Sequence, residues 1–321
     1  MASVLPMQDA DNFSLTESVF DYEYSFFYLC IHFNGWLFLT LELVARYENG
    51  RRYHAYHAGE YPLPNDEKEQ DRLDMQHHLY TLLYDGDIYR APISNGIKYA
   101  LDVGCGTGIW AIEFADKHPD TQVIATDLSA IQPGFVPENL QFEVDDAEDD
   151  WQFSHPFDYI HIGTLAGSIA DWRRLLRQAY DNLTPGGWIE VIDFEAWAST
   201  DDDSLPPDSA YAQFQNLLAD AARDFGKELN LAKKFRQMVE EVGFVNVVDD
   251  SRKAPLSPWP ADPRLKTLGE YMRIVMSDSL EPYCLALFTR VLNWNNTMIQ
   301  AQLAGVRQDL KNMNYHIHTT W

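Results

Sequence analysis

The stretch Leu101-Asp102-Val103-Gly104-Cys105-Gly106-Thr107-Gly108 carries the strongest structural signal in this 321-residue chain. It completes the apolar run 99–103, which predicts a short strand, and it precedes 109–117, which predicts a helix. Glycines at such a junction let the backbone turn tightly and let a ligand approach main-chain N–H groups. Their Gly-x-Gly-x-Gly spacing differs from the Gly-x-Gly-x-x-Gly of dinucleotide-binding loops, and the acid before them favours a ligand with a cationic amino-acid head.

Acidic residues follow the next two predicted strands. Asp127 comes directly after the strand 122–126, where a carboxylate can accept hydrogen bonds from both ribose hydroxyls of an adenosine. Asp145 and Asp146 come directly after the strand 140–144, where an acid can bond an adenine edge. Because ligands bind at the carboxyl ends of strands in open α/β sheets, the loop and the two acids predict one ligand site.

Strand and helix patterns alternate through this part of the chain. Strands separated by helices pair in parallel through right-handed crossovers, which predicts an α/β fold with a doubly wound, mainly parallel sheet. The predicted strands are 99–103, 122–126, 140–144, 157–162 and 188–193, and the predicted helices between them are 109–117 and 171–183.

The regions before and after these alternating strands and helices are predicted to be mainly helical. The interval 66–83 has apolar residues at roughly helical spacing, and the proline-rich stretch 255–263 predicts a loop. One further strand is predicted at 244–248. The remaining predicted helices are 211–225, 229–242, 264–277, 281–293 and 295–311.

Composition narrows the class of protein. Hydrophobic residues make up 46% of the chain, which excludes disorder as its overall state. The chain has 24 Lys and Arg against 49 Asp and Glu, a net charge of −25, so no direct binding of nucleic acid is expected. Three widely spaced cysteines predict neither a disulfide framework nor a zinc site. A reducing compartment, cytoplasmic or nuclear, is therefore the expected location.

These motifs resemble those of the class I S-adenosylmethionine-dependent methyltransferases. The match covers about 98–250, and it includes the turn 183–188 (LTPGGW) before the fifth strand. The resemblance implies a seven-stranded type of sheet and S-adenosyl-L-methionine as cofactor. The cofactor-binding residues that it implies are Asp102, Gly104, Cys105, Gly106, Gly108, Asp127, Leu128, Asp146 and Ala147.

A narrower resemblance is to the fungal LaeA-like methyltransferases. It rests on YENGRRYHAY, YPLPNDE, TDLSAIQP, DDAEDDW, NLTPGGWIEV and PWPADPRLK. The resemblance implies methyl transfer to an unidentified small-molecule or protein acceptor, in fungal secondary metabolism or its regulation. It divides the chain into 1–45, a tail and apolar insert of doubtful origin, and a methyltransferase domain, 46–321. Within that domain we expect the cofactor core at 98–195 and a lid with the C-terminal helices at 196–321.

Two features depart from the family pattern. Gly163 stands where family members usually have Arg, so one polar contact after the fourth strand is expected to be missing. Family members also continue into a last strand, which lies between the fifth and sixth strands of the sheet. The sequence stops at His316-Ile317-His318-Thr319-Thr320-Trp321, so we expect this strand to be truncated and a gap with unpaired backbone groups to result.

The segment 26–44 (FFYLCIHFNGWLFLTLELV) interrupts a stretch that is almost continuous in the family. We interpret it as an unspliced intron or a gene-model error. A partner-bound surface helix is a second interpretation. A membrane anchor is the third, although Asn34 and Glu42 are costly in lipid. Peptide mass spectrometry of the protein from its natural source distinguishes the first interpretation from the other two, because abundant peptides from 25–45 would contradict it.

No general base is assigned from the sequence. His161, Tyr53 and His54 are candidates only by their positions, and a base is required only if the acceptor must lose a proton. The loosely spaced His54, His57, His77 and His78 do not match a metal-binding pattern, so no metal is predicted. The alternative function is a catalytically weak methyltransferase-fold protein that acts through regulatory protein partners.

Overall fold

The computed structural model describes residues 46–54, 56–57 and 59–321. The apolar insert and the tail before it therefore lie outside the described residues. Among the described residues, no helix combines the length and the apolar character that a bilayer span requires.

A five-stranded parallel sheet forms the centre of the molecule. Its strands are β3 (Tyr99–Val103), β4 (Gln122–Asp127), β5 (Leu140–Val144), β6 (Phe157–Gly163) and β7 (Leu183–Ile192). The spatial order is β5-β4-β3-β6-β7, so the chain runs outward from β3 on one side and then on the other. The predicted α/β, doubly wound, parallel sheet is confirmed. The order reverses at β3, where the glycine-rich loop begins.

Helices cover both faces of this sheet. On one face α2 (Ile109–Lys117) packs in a cluster around Trp110, Phe114 and Tyr159. On the other face α3 (Trp172–Asp181) and α5 (Phe235–Val242) pack in a second cluster around Leu176 and Val239. Burial on both faces explains why the strand segments read as nearly continuous apolar runs.

A third apolar cluster lies among the remaining helices. It joins α1 (Glu67–Leu83), α4 (Ala210–Phe225), α6 (Pro263–Arg290) and α7 (Asn296–Asp309). Side-chain caps begin these helices; the Asp66 carboxylate, for example, accepts from the Glu69 N–H at the start of α1. The two helices predicted at 264–277 and 281–293 are one continuous helix, with Pro282 buried in its interior.

The chain before α1 forms a short hairpin that the sequence analysis did not predict. Strand β1 (Arg46–Glu48) pairs antiparallel with β2 (Arg51–Tyr53) around a turn in which Asn49 and Gly50 both have positive φ. Asn-Gly is the preferred pair for such a turn. The chain then runs through residues 54–65 to α1.

The end of the sequence forms a last strand of only three residues. Strand β9 (His318–Thr320) pairs antiparallel with β8 (Lys253–Pro255), and Ser199 bridges to His318 on its other side. Strand β9 therefore has β8 on one side and, on the other, the segment of chain that follows β7.

The outer edge of β7 borders an open groove of about 1110 Å³. Residues 243–251 form the opposite wall of this groove. Within the described part of the chain, no backbone N–H of residues 245–251 donates to a backbone carbonyl. The strand predicted at 244–248 is absent, so this prediction is wrong. Its apolar pattern is present, but a strand needs a neighbouring strand to receive its hydrogen bonds, and the groove supplies none.

Candidate functional site

The glycine-rich loop forms a tight cradle at the carboxyl end of β3. Gly104, Gly106 and Gly108 all have positive φ, a conformation that side chains oppose. A Cβ atom at Gly104 would lie 2.6 Å from a Leu165 methyl, and one at Gly108 would lie 2.3 Å from the Phe142 ring. The backbone conformation therefore favours glycine at all three positions, and the Phe142 ring adds a steric reason at Gly108.

Cys105 lies within the same loop. Burial raises the pKa of its thiol well above the usual value, and the Gln132 amide donates to Sγ at 3.7 Å. A protonated, partly buried thiol is a poor nucleophile. The chemistry of this position is therefore that of a packing residue.

Asp102 ends β3 beneath the loop and is 2% exposed. Its Oδ1 accepts a hydrogen bond from His161 Nδ1 at 2.7 Å. Its Oδ2 is buried and has no hydrogen-bond partner among the described residues. An unsatisfied buried carboxylate oxygen is costly, so it marks a position where a cationic or hydrogen-donating ligand would be stabilised.

A cavity of about 110 Å³ opens above Asp102. It is bounded by α1, by the glycine-rich loop and by the carboxyl ends of β6 and β7. Leu73 and Gln76 of α1 and Thr164 after β6 are among the residues that line it. The Thr107 hydroxyl donates to Asp74 Oδ1 at 2.6 Å, which ties α1 to the loop.

Asp127 ends β4, next to the glycine-rich loop. Its Oδ2 accepts from the Gly106 N–H and its Oδ1 from the Ser129 N–H, both at 2.8 Å. Burial raises the pKa of this carboxyl to about 6, against the opposing effect of these two hydrogen bonds. Asp127 is therefore held in a fixed orientation but is only weakly acidic.

Asp146 follows β5 and is buried. Its Oδ1 accepts from the Glu148 N–H at 2.8 Å, and its Oδ2 is 2.7 Å from His57 Nδ1. The hydrogen bond to Asp146 is the largest cause of a raised pKa at His57. Leu128 and Ala147 follow the two acids directly in the chain, so the expected cofactor residues lie at one edge of the sheet.

The segment between β2 and α1 crosses this edge, and we call its described residues between His54 and Asn65 the strap. His57 contacts Asp146, and the Asn65 amide donates to Ser129 Oγ at 3.2 Å. Tyr61 is half-buried near Asp127, and desolvation raises the pKa of its phenol. The strap thus contacts residues that directly follow the carboxyl ends of β4 and β5.

The three candidates for a general base do not converge. Tyr53 is buried and contacts Arg290 across its ring, and His54 bonds through Nδ1 to the Tyr56 carbonyl at 2.7 Å. Neither residue lines the cavity above Asp102. His161 does line it, but its Nδ1 is bonded to Asp102, a partnership that the sequence prediction did not include.

Two of the four histidines, His57 and His77, lie beside carboxylates. His77 lies beside Glu113, at 3.4 Å, and His57 lies beside Asp146 and Glu60. The ligand atoms of His57, Glu60 and Asp146 are within 4.8 Å of one another. Glu60 is exposed, His57 is half-buried, and Asp146 accepts from His57, so the three side chains form an ion-pair network.

The residues at this edge fit S-adenosylmethionine on two structural observations. The orphaned Asp102 Oδ2 matches a cationic ammonium group, and the glycine-rich loop borders the cavity beside it. Asp127 and Asp146 then lie on the two following strands, in the order that an adenosine would need.

Comparisons with known proteins give the family. A family model described as "Methyltransferase domain" matches residues 75–248. The methyltransferase pytC of Aspergillus terreus is 43% identical over 271 residues, which are 84% of each chain. The secondary metabolism regulator LAE1 of Cochliobolus heterostrophus is 36% identical over 278 residues, covering 84% of this chain and 91% of LAE1.

Among solved structures, phosphoethanolamine N-methyltransferase 2 of Haemonchus contortus, in complex with S-adenosylhomocysteine, aligns with a TM-score of 0.42 and 17% identity. The alignment covers 78% of this chain and 50% of that one. The family model and the sequence relatives decide the assignment. The chain belongs to the S-adenosylmethionine-dependent methyltransferases, in the group that includes the fungal LaeA-like proteins.

Proposed function

We propose that the carboxyl edge of β3, β4 and β5 binds S-adenosylmethionine in an extended orientation. The unpartnered Asp102 Oδ2 accepts from the ammonium group of the cofactor, and Gly104, Cys105, Gly106 and Gly108 form the loop beneath its amino-acid head. The single observation that carries this proposal is the buried oxygen of Asp102, which has no other described partner to satisfy it.

The adenosine end of the cofactor is assigned to the next two strands. Asp127 accepts from the ribose hydroxyls, and Asp146 bonds the adenine edge, with Leu128 and Ala147 beside them. For this contact Asp146 Oδ2 must exchange its hydrogen bond with His57 for one with the base. Binding therefore involves a local movement of the strap.

The bound sulfonium supplies an activated methyl group, so transfer is an in-line displacement that depends mainly on positioning. The residues of this chain contribute orientation: Asp102 and the glycine-rich loop fix one end of the donor, and Asp127 and Asp146 fix the other. The cavity between α1 and the end of β6 is where an acceptor would meet the methyl group. From the region 196–321, which we expect to form the lid, Trp321 lines this cavity.

The acceptor is proposed to be a small molecule or a protein of fungal secondary metabolism. The relatives support both versions, since pytC is named a methyltransferase and LAE1 a regulator of secondary metabolism. A cytoplasmic or nuclear location fits either version. The net charge of −25 argues against direct binding to nucleic acid, and the described residues offer no membrane span.

A second candidate function is a catalytically weak protein that acts through regulatory partners. The groove beside β7 favours it, because an open strand edge is a surface on which an extended peptide can pair. Under this alternative the cofactor site would still bind S-adenosylmethionine, but no acceptor would be methylated.

Two measurements test the proposed function. Calorimetric titration with S-adenosylmethionine is expected to give one site per chain, and absence of binding would contradict the proposal. Incubation with methyl-labelled donor and a fungal extract is expected to label an acceptor. Binding without labelling of any extract fraction supports the regulatory alternative.

A further inference from the structure

Asp102 and His161 form a buried pair that links two strands of the sheet. The two residues are direct neighbours in the register of β3 and β6. His161 is 5% exposed and Asp102 is 2% exposed, and Nδ1 of the histidine lies 2.7 Å from Oδ1 of the carboxylate. Because a carboxylate can only accept, Nδ1 carries the hydrogen and donates it.

Trp110 fixes the plane of the imidazole, and Gly163 leaves room for it. The Trp110 ring is stacked on it with centroids 3.7 Å apart and planes within 2° of parallel. On the strand itself, a Cβ atom at Gly163 would lie 3.1 Å from His161 Cε1, which is closer than side-chain atoms normally approach. The glycine that departs from the family pattern therefore leaves room for this ring.

The orientation of Asp102 follows from that of His161. With Oδ1 held by a fixed donor, the carboxylate cannot rotate freely, and Oδ2 keeps one direction. Asp102 and His161 both line the cavity above the glycine-rich loop, and Oδ2 has no partner among the described residues. A pre-oriented acceptor binds a cation at a lower entropic cost than a mobile one.

We propose that His161 is a positioning residue for cofactor binding: it holds Asp102 so that Oδ2 meets the ammonium group of S-adenosylmethionine. This inference rests on the proposed function, specifically on the pairing of that ammonium group with Asp102. It assigns to His161 an effect on the amino-acid head of the cofactor alone. A role as general base would instead leave cofactor affinity unchanged.

The test compares His161→Asn with His161→Leu. The Asn side chain places an N–H close to the position of Nδ1 and can still donate to Asp102, whereas Leu fills similar space without a donor. Two ligands are titrated by calorimetry: S-adenosylhomocysteine, which has the ammonium group, and 5′-methylthioadenosine, which has the same nucleoside and sulfur but no amino-acid head. Loss of a charge-assisted hydrogen bond predicts that His161→Leu weakens S-adenosylhomocysteine about tenfold or more.

The same variant is expected to bind 5′-methylthioadenosine as the wild type does, and His161→Asn to recover most of the lost affinity. Equal losses for both ligands, or no loss for either, would overturn the inference. If the wild type itself does not prefer S-adenosylhomocysteine over 5′-methylthioadenosine, the pairing with Asp102 is wrong and the proposed function fails at that point.

A measurement on the wild type remains decisive if His161→Leu does not fold. Nitrogen-15 NMR of the His161 ring is expected to show a protonated Nδ1 both without ligand and with S-adenosylhomocysteine bound. An unprotonated Nδ1 in either state would overturn the positioning role.

Discussion

The two ends of the proposed cofactor site differ in how far their polar groups are already engaged. At the end built on β3, one oxygen of Asp102 is held by His161 and the other has no described partner. At the end built on β4 and β5, both oxygens of Asp127 and both of Asp146 already have partners within the chain. The first end is ready for a cation, and the second must exchange contacts to accept an adenosine.

This difference separates the contacts that determine affinity for the cofactor from those that control its entry into the site. A buried oxygen without a partner gains a full hydrogen bond when a ligand arrives, so Asp102 should contribute strongly to the binding free energy. His57 must leave Asp146 before the base can take its place, so part of that contact energy is lost again. The strap therefore affects entry of the cofactor more than its final stability.

The largest expected effect is at Asp102. The substitution Asp102→Asn keeps the shape of the side chain but removes the charge that faces the ammonium group, and affinity for S-adenosylmethionine should fall about 100-fold. Asp116→Asn, on the exposed side of α2, is the matched control and should bind as the wild type does. Calorimetry measures both, and an unchanged Kd for Asp102→Asn would contradict the proposed division of roles.

The next effect concerns the cradle itself. Gly108→Ala places a methyl group 2.3 Å from Phe142 in a left-handed backbone conformation, so it should lower the free energy of unfolding by about 2 kcal/mol and reduce cofactor binding. Gly134→Ala is the control, because nothing lies within 4 Å of its Cβ position. Urea denaturation of both variants measures the difference. Equal stabilities would contradict the expected clash between the introduced methyl group and Phe142.

The adenosine end should depend on pH through Asp127. Burial raises the pKa of this carboxyl to about 6, and a protonated carboxyl is a poorer acceptor for two ribose hydroxyls. Since the cofactor prefers the ionised form, affinity should fall as the pH drops through 6, by about tenfold between pH 7.5 and 5.

His57, whose pKa is raised by its hydrogen bond to Asp146, acts in the same direction when it is protonated. The variant Asp127→Asn separates the two contributions, because it should bind more weakly at pH 7.5 and lose most of the pH dependence. Titrations at several pH values test this, and an equally steep profile in the variant would assign the dependence to another group.

The smallest effect is expected at the strap. His57→Gln removes the ion pair with Asp146, which is partly exposed and therefore weak, so the association rate of S-adenosylmethionine should rise by no more than about fivefold. His78→Gln, an exposed histidine on α1, serves as the control. Stopped-flow fluorescence measures the rates, and slower association in His57→Gln would mean that the strap assists binding.

The sequence was sufficient for the parts of the site that depend on local pattern. The glycine-rich loop and the acids after β4 and β5 are each signalled by a few consecutive residues, and the parallel sheet brings them to one edge. The contacts between distant residues could not be predicted in this way. His57 and Asp146 are 89 positions apart, and His161 and Asp102 are 59 apart, so only the folded chain shows that they pair.

The errors of prediction have the same physical origin. The pattern at 244–248 is that of a strand, but its hydrogen bonds depend on a neighbour that the described chain does not provide. The break predicted between 277 and 281 is absent because packing across the C-terminal helices outweighs the cost of Pro282 inside α6. Tertiary context decides both cases.

The central claim is that the cofactor lies along β3, β4 and β5 with its ammonium group on Asp102. A crystal structure of the full chain with S-adenosylhomocysteine tests it most directly. The account predicts the ammonium nitrogen within hydrogen-bond distance of Asp102 Oδ2, the ribose on Asp127, and the contact between His57 and Asp146 broken. A ligand bound with its amino-acid head away from Asp102, or with the His57 contact intact and adenine elsewhere, would contradict it.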